Sequence, residues 1–132
     1  MKALGIEFDS NKMHYVLIEG SVDDYDILQS NRLKLGETRS RDSLIAFQNA
    51  IKTLFNSASS GIVGIKDKPE SGRLRAGSAS LKMEGITLAN TACEVIFISG
   101  AKINKCKATD DNIFGYLQPA LKAAIIALGT IK

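Results

Sequence analysis

The sequence predicts an α/β protein with a mixed five-stranded sheet and the element order β-β-β-α-β-α-β-α. Three observations lead there. Residues 3 to 35 hold three runs of strand-type pattern with only short polar connections, the arrangement of an antiparallel meander. Beyond Ser40 the apolar period lengthens to that of a helix, and each later strand is reached through a helical stretch, which places it parallel to its neighbours. The chain then closes on the apolar segment "LQPALKAAIIAL", long enough for a helix with one buried face.

Element by element, residues 3 to 9 alternate Leu4, Ile6 and Phe8 on one side with Ala3, Gly5, Glu7 and Asp9 on the other. Both carboxylates therefore share a face of the first strand. "MHYVLIEG" (13 to 20) is a second strand rich in β-favouring residues, and "YDILQSNRLKL" (25 to 35) is a third, joined to it by the polar turn "GSVDD". From Ser40, Leu44, Phe47, Ile51, Leu54 and Phe55 recur at helical spacing, with Asp42 near the start to favour the helix dipole and an end around "NSASSG". "GIVGIK" (61 to 66) is a short buried strand ending in Lys66. The stretch after it, "DKPESGRLRAGSAS", is too poor in apolar residues for a regular element and reads as an exposed loop. Residues 78 to 92 read as a helix with Leu81 and Leu88 on one side, weakened by Gly85, and "EVIFIS" (94 to 99) as the fifth strand. A second basic connection, "GAKINKCKATDDN", leads to the last helix. There Leu117, Leu121, Ala124, Ile125 and Leu128 mark the buried face, Pro119 suits the first turn and Gly129 is placed to stop it.

A chain of 132 residues fits one domain, residues 1 to 132, able to bury roughly two thirds of its unfolded surface. No apolar run approaches the length of a membrane span or a signal peptide, so the expected location is cytoplasmic, with no membrane partner. Cys93 and Cys106 are thirteen positions apart without zinc-site or redox spacing and read as free thiols. His14, the one histidine, has no second histidine or cysteine to complete a metal site and reads as a structural strand residue. The net charge of +3 hides an asymmetry. Residues 1 to 30 carry two lysines against six acids, net −4, and residues 31 to 132 carry fifteen bases against eight acids, net +7. Most of the chain should thus attract polyanions weakly while its start repels them.

The element order is that of the ribonuclease H-like fold, and the local residues agree with it. "ALGIEFDS" resembles the first strand of RuvC-like resolvases, whose Gly-Ile-Asp motif puts a metal-binding carboxylate at the position of Glu7. "GIVGIK" resembles their fourth strand, which ends in a second carboxylate where this chain has Lys66. "LQPALKAAIIAL" resembles their last helix, whose aspartates are represented here by Gln118, Pro119 and Lys122. The chain also resembles a small family of uncharacterised bacterial proteins through "GIEF", through "IK" at the end of the fourth strand, and through a Lys/Gly/Arg loop leading into "SLKMEGI". That second resemblance implies the same fold and no established activity.

Two-metal hydrolysis of a phosphodiester needs several carboxylates around a pair of divalent ions, which orient the attacking water and stabilise the leaving oxygen. The three matched positions supply one carboxylate and two ammoniums. Glu7, Lys66 and Lys122 are therefore expected to form an ion cluster in place of a former metal site, with no metal and no catalysis. The alternative is a magnesium- or manganese-dependent nuclease with a rearranged site built from Glu7, Asp9 and Glu84. The basic positions Lys68, Arg73, Arg75, Lys82, Lys102 and Lys105 make nucleic acid the leading expected partner. A second copy of the chain, through an open sheet edge or the apolar last helix, is a further possibility.

Overall fold

Alternating side chains build β1 (Lys2–Asp9), β2 (Lys12–Gly20) and β3 (Tyr25–Lys34) as an antiparallel meander. The computed structural model describes residues 1–69, 71–72 and 76–131. Helix α1 (Arg41–Ala58) begins where the Ser40 hydroxyl accepts from the Ser43 amide, which satisfies one of the unpaired donors of its first turn. It leads into β4 (Ile62–Lys66), α2 (Ser78–Ala89), β5 (Glu94–Ile98), α3 (Gly100–Lys105), a 3₁₀ turn at Gly115–Leu117 and α4 (Gln118–Thr130). The sheet order is β3-β2-β1-β4-β5, with β1, β4 and β5 parallel. Strand β1 is thus central, and three parallel strands finish at the same end of the sheet.

Each face of the sheet carries its own core. Leu4, Ile6, Phe8 and Met13 point to one side, where they pack with Phe47, Ile51 and Leu54 of α1 and Met83 of α2. Ala3, Val16, Ile18 and Ile62 point to the other side and meet Leu117, Leu121, Ala124, Ile125 and Leu128, the face expected of the last helix. That helix lies unusually close to the sheet because small residues face small residues. A Cβ on Gly5 would overlap the Ala120 carbonyl oxygen and approach the Ala124 amide nitrogen to 2.5 Å. A Cβ on Gly64 would lie 2.7 Å from the Ala123 carbonyl oxygen. Glycine at these two strand positions is what lets the α4 backbone settle on β1 and β4.

Three local expectations change. Helix α2 buries Ser80, Met83 and Thr87, while Leu88 is 40% exposed and Leu81 half-buried. The polar members are tolerated because Ser80 donates to the Ser10 carbonyl at 2.8 Å and Thr87 to the Met83 carbonyl at 2.7 Å, so neither hydroxyl is left unpaired. The connection after β5 contains the short helix α3, started by the Ser99 hydroxyl accepting from the Lys102 amide and anchored by buried Ile103. Gly129 does not stop α4, which runs to Thr130. A Cβ at Gly129 would sit 3.3 Å from Val22 Cγ2, so its small size serves the approach of the β2–β3 connection.

Candidate functional site

Where β1 and β4 finish, on the α4 side of the sheet, four polar side chains stand level across four strands. Glu7 pairs in register with His14, and His14 with Arg32; Lys66 follows Ile65, the partner of Ile6. Lys66 Nζ donates to Glu7 Oε2 at 3.1 Å, and His14 Nδ1 lies 3.2 Å from Glu7 Oε1, so each carboxylate oxygen has its own partner. The side chains of His14 and Glu7 are only 4% and 13% exposed, whereas Lys66 is 27% exposed. An ionised carboxylate this shielded requires compensation, and the ammonium supplies it.

An aromatic roof covers this row. The Tyr116 ring, from the 3₁₀ turn before α4, lies 5.0 Å from the His14 ring, and the Arg32 guanidinium stands 5.1 Å over the Tyr116 centroid. Phe114 stacks on Tyr116 at 5.5 Å with 9° between the planes. One layer nearer the strand ends, Asp9 is in register with Lys12, and Lys12 with Lys34. On the α4 face at this end, the strand residues Lys12, Arg32, Lys34 and Lys66 outnumber Glu7 and Asp9 among the described residues, while Asp67, next after Lys66, lines a groove on the α2 side. Glu19, Asp23, Asp24 and Asp26 lie at the β2–β3 connection, the far end of the meander. The charge asymmetry along the chain becomes an asymmetry along the sheet.

The model of a protein family of unknown function, DUF3010, matches residues 1–124. The chain belongs to the DUF3010 family. No curated protein matches it in sequence. In structure, this DUF3010 chain is similar to Thermus thermophilus RuvC, with a TM-score of 0.75 at 10% identity over 95% of this chain and 92% of that one. It is similarly close to T. thermophilus RuvC in complex with a Holliday junction substrate, with a TM-score of 0.72 at 11% identity over 95% and 90% of the two chains. Fowlpox virus resolvase, in complex with its substrate Holliday junction DNA, gives a TM-score of 0.55 at 7% identity over 98% and 99%. Identities this low speak for the fold, which is RuvC-like and ribonuclease H-like, as the element order implies.

That fold raises the question of divalent metal, and the residues do not fit it. Among the described residues, no three His, Cys, Asp or Glu side chains are grouped as a metal site. Glu7 is committed to Lys66 and His14. Glu84 sits on α2, across the sheet from Glu7, so the trio Glu7, Asp9 and Glu84 does not converge. Asp9 shares the face of Glu7, as alternation requires, but is exposed and two residues nearer the strand end.

Lys122 also stays apart. Position 122 is about 200° around the helix from Ala120, which packs on Gly5, and no ion pair joins Lys122 to Glu7 among the described residues. Of the expected basic positions, Lys82 donates to the Thr38 carbonyl at 2.6 Å, and Lys68 lines a groove with Pro69, Glu84 and Phe97 on the α2 side. Lys102 and Lys105 are exposed on α3. Arg73 and Arg75 lie outside the described residues. Sequence reasoning missed the part played by Arg32, Lys34, Lys12, His14, Phe114 and Tyr116. The two-residue spacing of Arg32 and Lys34, and of Lys12 and His14, was the available signal, since it sets each pair on one strand face.

Proposed function

We propose that this chain is a nucleic-acid-binding domain whose ribonuclease H-like site no longer hydrolyses. The observation that carries the proposal is the 3.1 Å contact between Lys66 Nζ and Glu7 Oε2. Resolvase resemblance places a second carboxylate at Lys66, where it would share a metal with Glu7; here an ammonium neutralises Glu7 directly. A divalent ion at that place would have to displace a cation already paired with its ligand, against like-charge repulsion. What survives is one face of the sheet end where cations outnumber carboxylates, suited to phosphates. The RuvC and fowlpox resolvase structures that hold Holliday junction DNA support nucleic acid as the class of partner.

Binding to a four-way junction, a duplex and a single strand at increasing salt tests this. The wild-type chain should be retained at low ionic strength and released as salt rises. Neutralising Lys12, Lys34, Lys102 and Lys105, together with Arg73 and Arg75, should weaken binding and reduce the salt slope by about one unit per lost phosphate contact. An unaltered protein that ignores all three nucleic acids at low salt would remove this class of partner.

A further inference from the structure

The roof over the Glu7 row has an open side. Phe114 is 70% exposed, the most exposed large apolar side chain among the described residues, and Tyr116 is 38% exposed. One face of the Phe114 ring lies against Tyr116, and that degree of exposure leaves the other face to solvent. Tyr116 is not free to turn away. The His14 ring packs against it and the Arg32 guanidinium stands over its face, so neighbours on β2 and β3 hold the ring on which Phe114 stacks. An exposed aromatic pair offers a flat apolar face for stacking contacts. Its surroundings suggest the partner: Arg32 touches the pair, and Lys34 and Lys12 share that sheet face two residues further along, with Asp9 in register beside Lys12. A flat apolar surface bordered by cations is complementary to a molecule that alternates flat π-faces with anionic groups.

We propose that Phe114, held by Tyr116 and Arg32, is a stacking platform for an unpaired nucleobase, with the flanking phosphates received by Lys12 and Lys34. This deepens the nucleic-acid reading and rests on it. Stacking accepts any base because each has a π-face, so the platform selects unpaired over paired nucleotides without reading sequence. A base inside a duplex is already stacked and cannot occupy it.

The test compares a short oligothymidylate with an oligomer of equal length and charge that lacks bases, at one low salt concentration. Wild type should bind the base-bearing strand more tightly. Phe114→Ala should lower that affinity about tenfold while leaving the abasic strand unchanged. The chain has no tryptophan, so Phe114→Trp creates a single reporter. Its emission should be quenched by oligothymidylate and unaffected by the abasic strand. Both variants change a side chain that is mostly exposed, and a thermal melt checks that the fold persists. Equal binding of the two strands by wild type, with no effect of Phe114→Ala and no quenching, overturns the platform and leaves nucleic-acid binding standing. Absence of binding to either strand overturns both.

Discussion

Gly5→Ala should destabilise the chain by about 3 kcal/mol or more, the upper range for forcing one methyl group into a filled site. The reason is geometric. The new Cβ would overlap the Ala120 carbonyl oxygen and meet the Ala124 amide nitrogen at 2.5 Å, and both atoms belong to a helix backbone that cannot rotate aside like a side chain. Relief requires α4 to lift from β1, which loosens the packing of Leu117, Leu121 and Ile125 on Val16 and Ile18. Against a total stability of about 5 to 15 kcal/mol for a domain, that is a large fraction. Gly85→Ala is the matched control. Nothing lies within 4 Å of a Cβ at that helical position, so the same substitution should stabilise by about 0.5 to 1 kcal/mol. Urea midpoints for the two variants should move in opposite directions; a shared direction would show that the close seat of α4 is not the cause.

The Glu7–Lys66 pair predicts an ordered set of losses. Lys66→Met strands a carboxylate that is 13% exposed, leaving it His14 alone among the described residues, and should cost about 3 kcal/mol. Glu7→Gln strands an ammonium that is 27% exposed and can reach water, so its cost should be smaller, about 1 to 2 kcal/mol. Replacing both with apolar residues, Glu7→Leu with Lys66→Met, leaves no unpaired charge but takes the partner of buried His14 Nδ1, so it should recover only part of the loss. Denaturant unfolding of the three variants gives the comparison. Additive losses in the double variant would mean that the two residues act independently and that the ion pair carries little of the effect.

How much of this was legible follows from the range over which each residue acts. Leu4, Ile6 and Phe8 announce β1 because alternation is local, and Ser40 with Phe47, Ile51 and Leu54 announces α1 for the same reason. The meeting of Glu7 with Lys66 was legible through the resemblance to the resolvase strands, which puts both positions at one site; of the two lysines it offered, Lys66 makes the contact. Lys122 was misplaced because two residues along a helix is more than half a turn. A motif position copied from a related helix carries no such phase. The α2 face was misread because Leu81 and Leu88 are the apolar members, whereas burial selected Ser80 and Thr87, whose hydroxyls find carbonyl partners only in the folded chain. The aromatic roof depends on β3 lying beside β2 and on where the chain enters α4. Neither is encoded near Phe114 or Tyr116, so nothing in their own neighbourhood pointed to His14 and Arg32.

The proposed function joins the Glu7–Lys66 ion pair to nucleic-acid binding without cleavage. The most direct measurement places wild type with labelled oligonucleotides in manganese-containing buffer and follows retention and strand length in the same reaction. Retention should fall steeply with salt, with every strand intact and Glu7→Gln bound as wild type is. Manganese-dependent cleavage that disappears in Glu7→Gln would contradict it and return Glu7 to a metal.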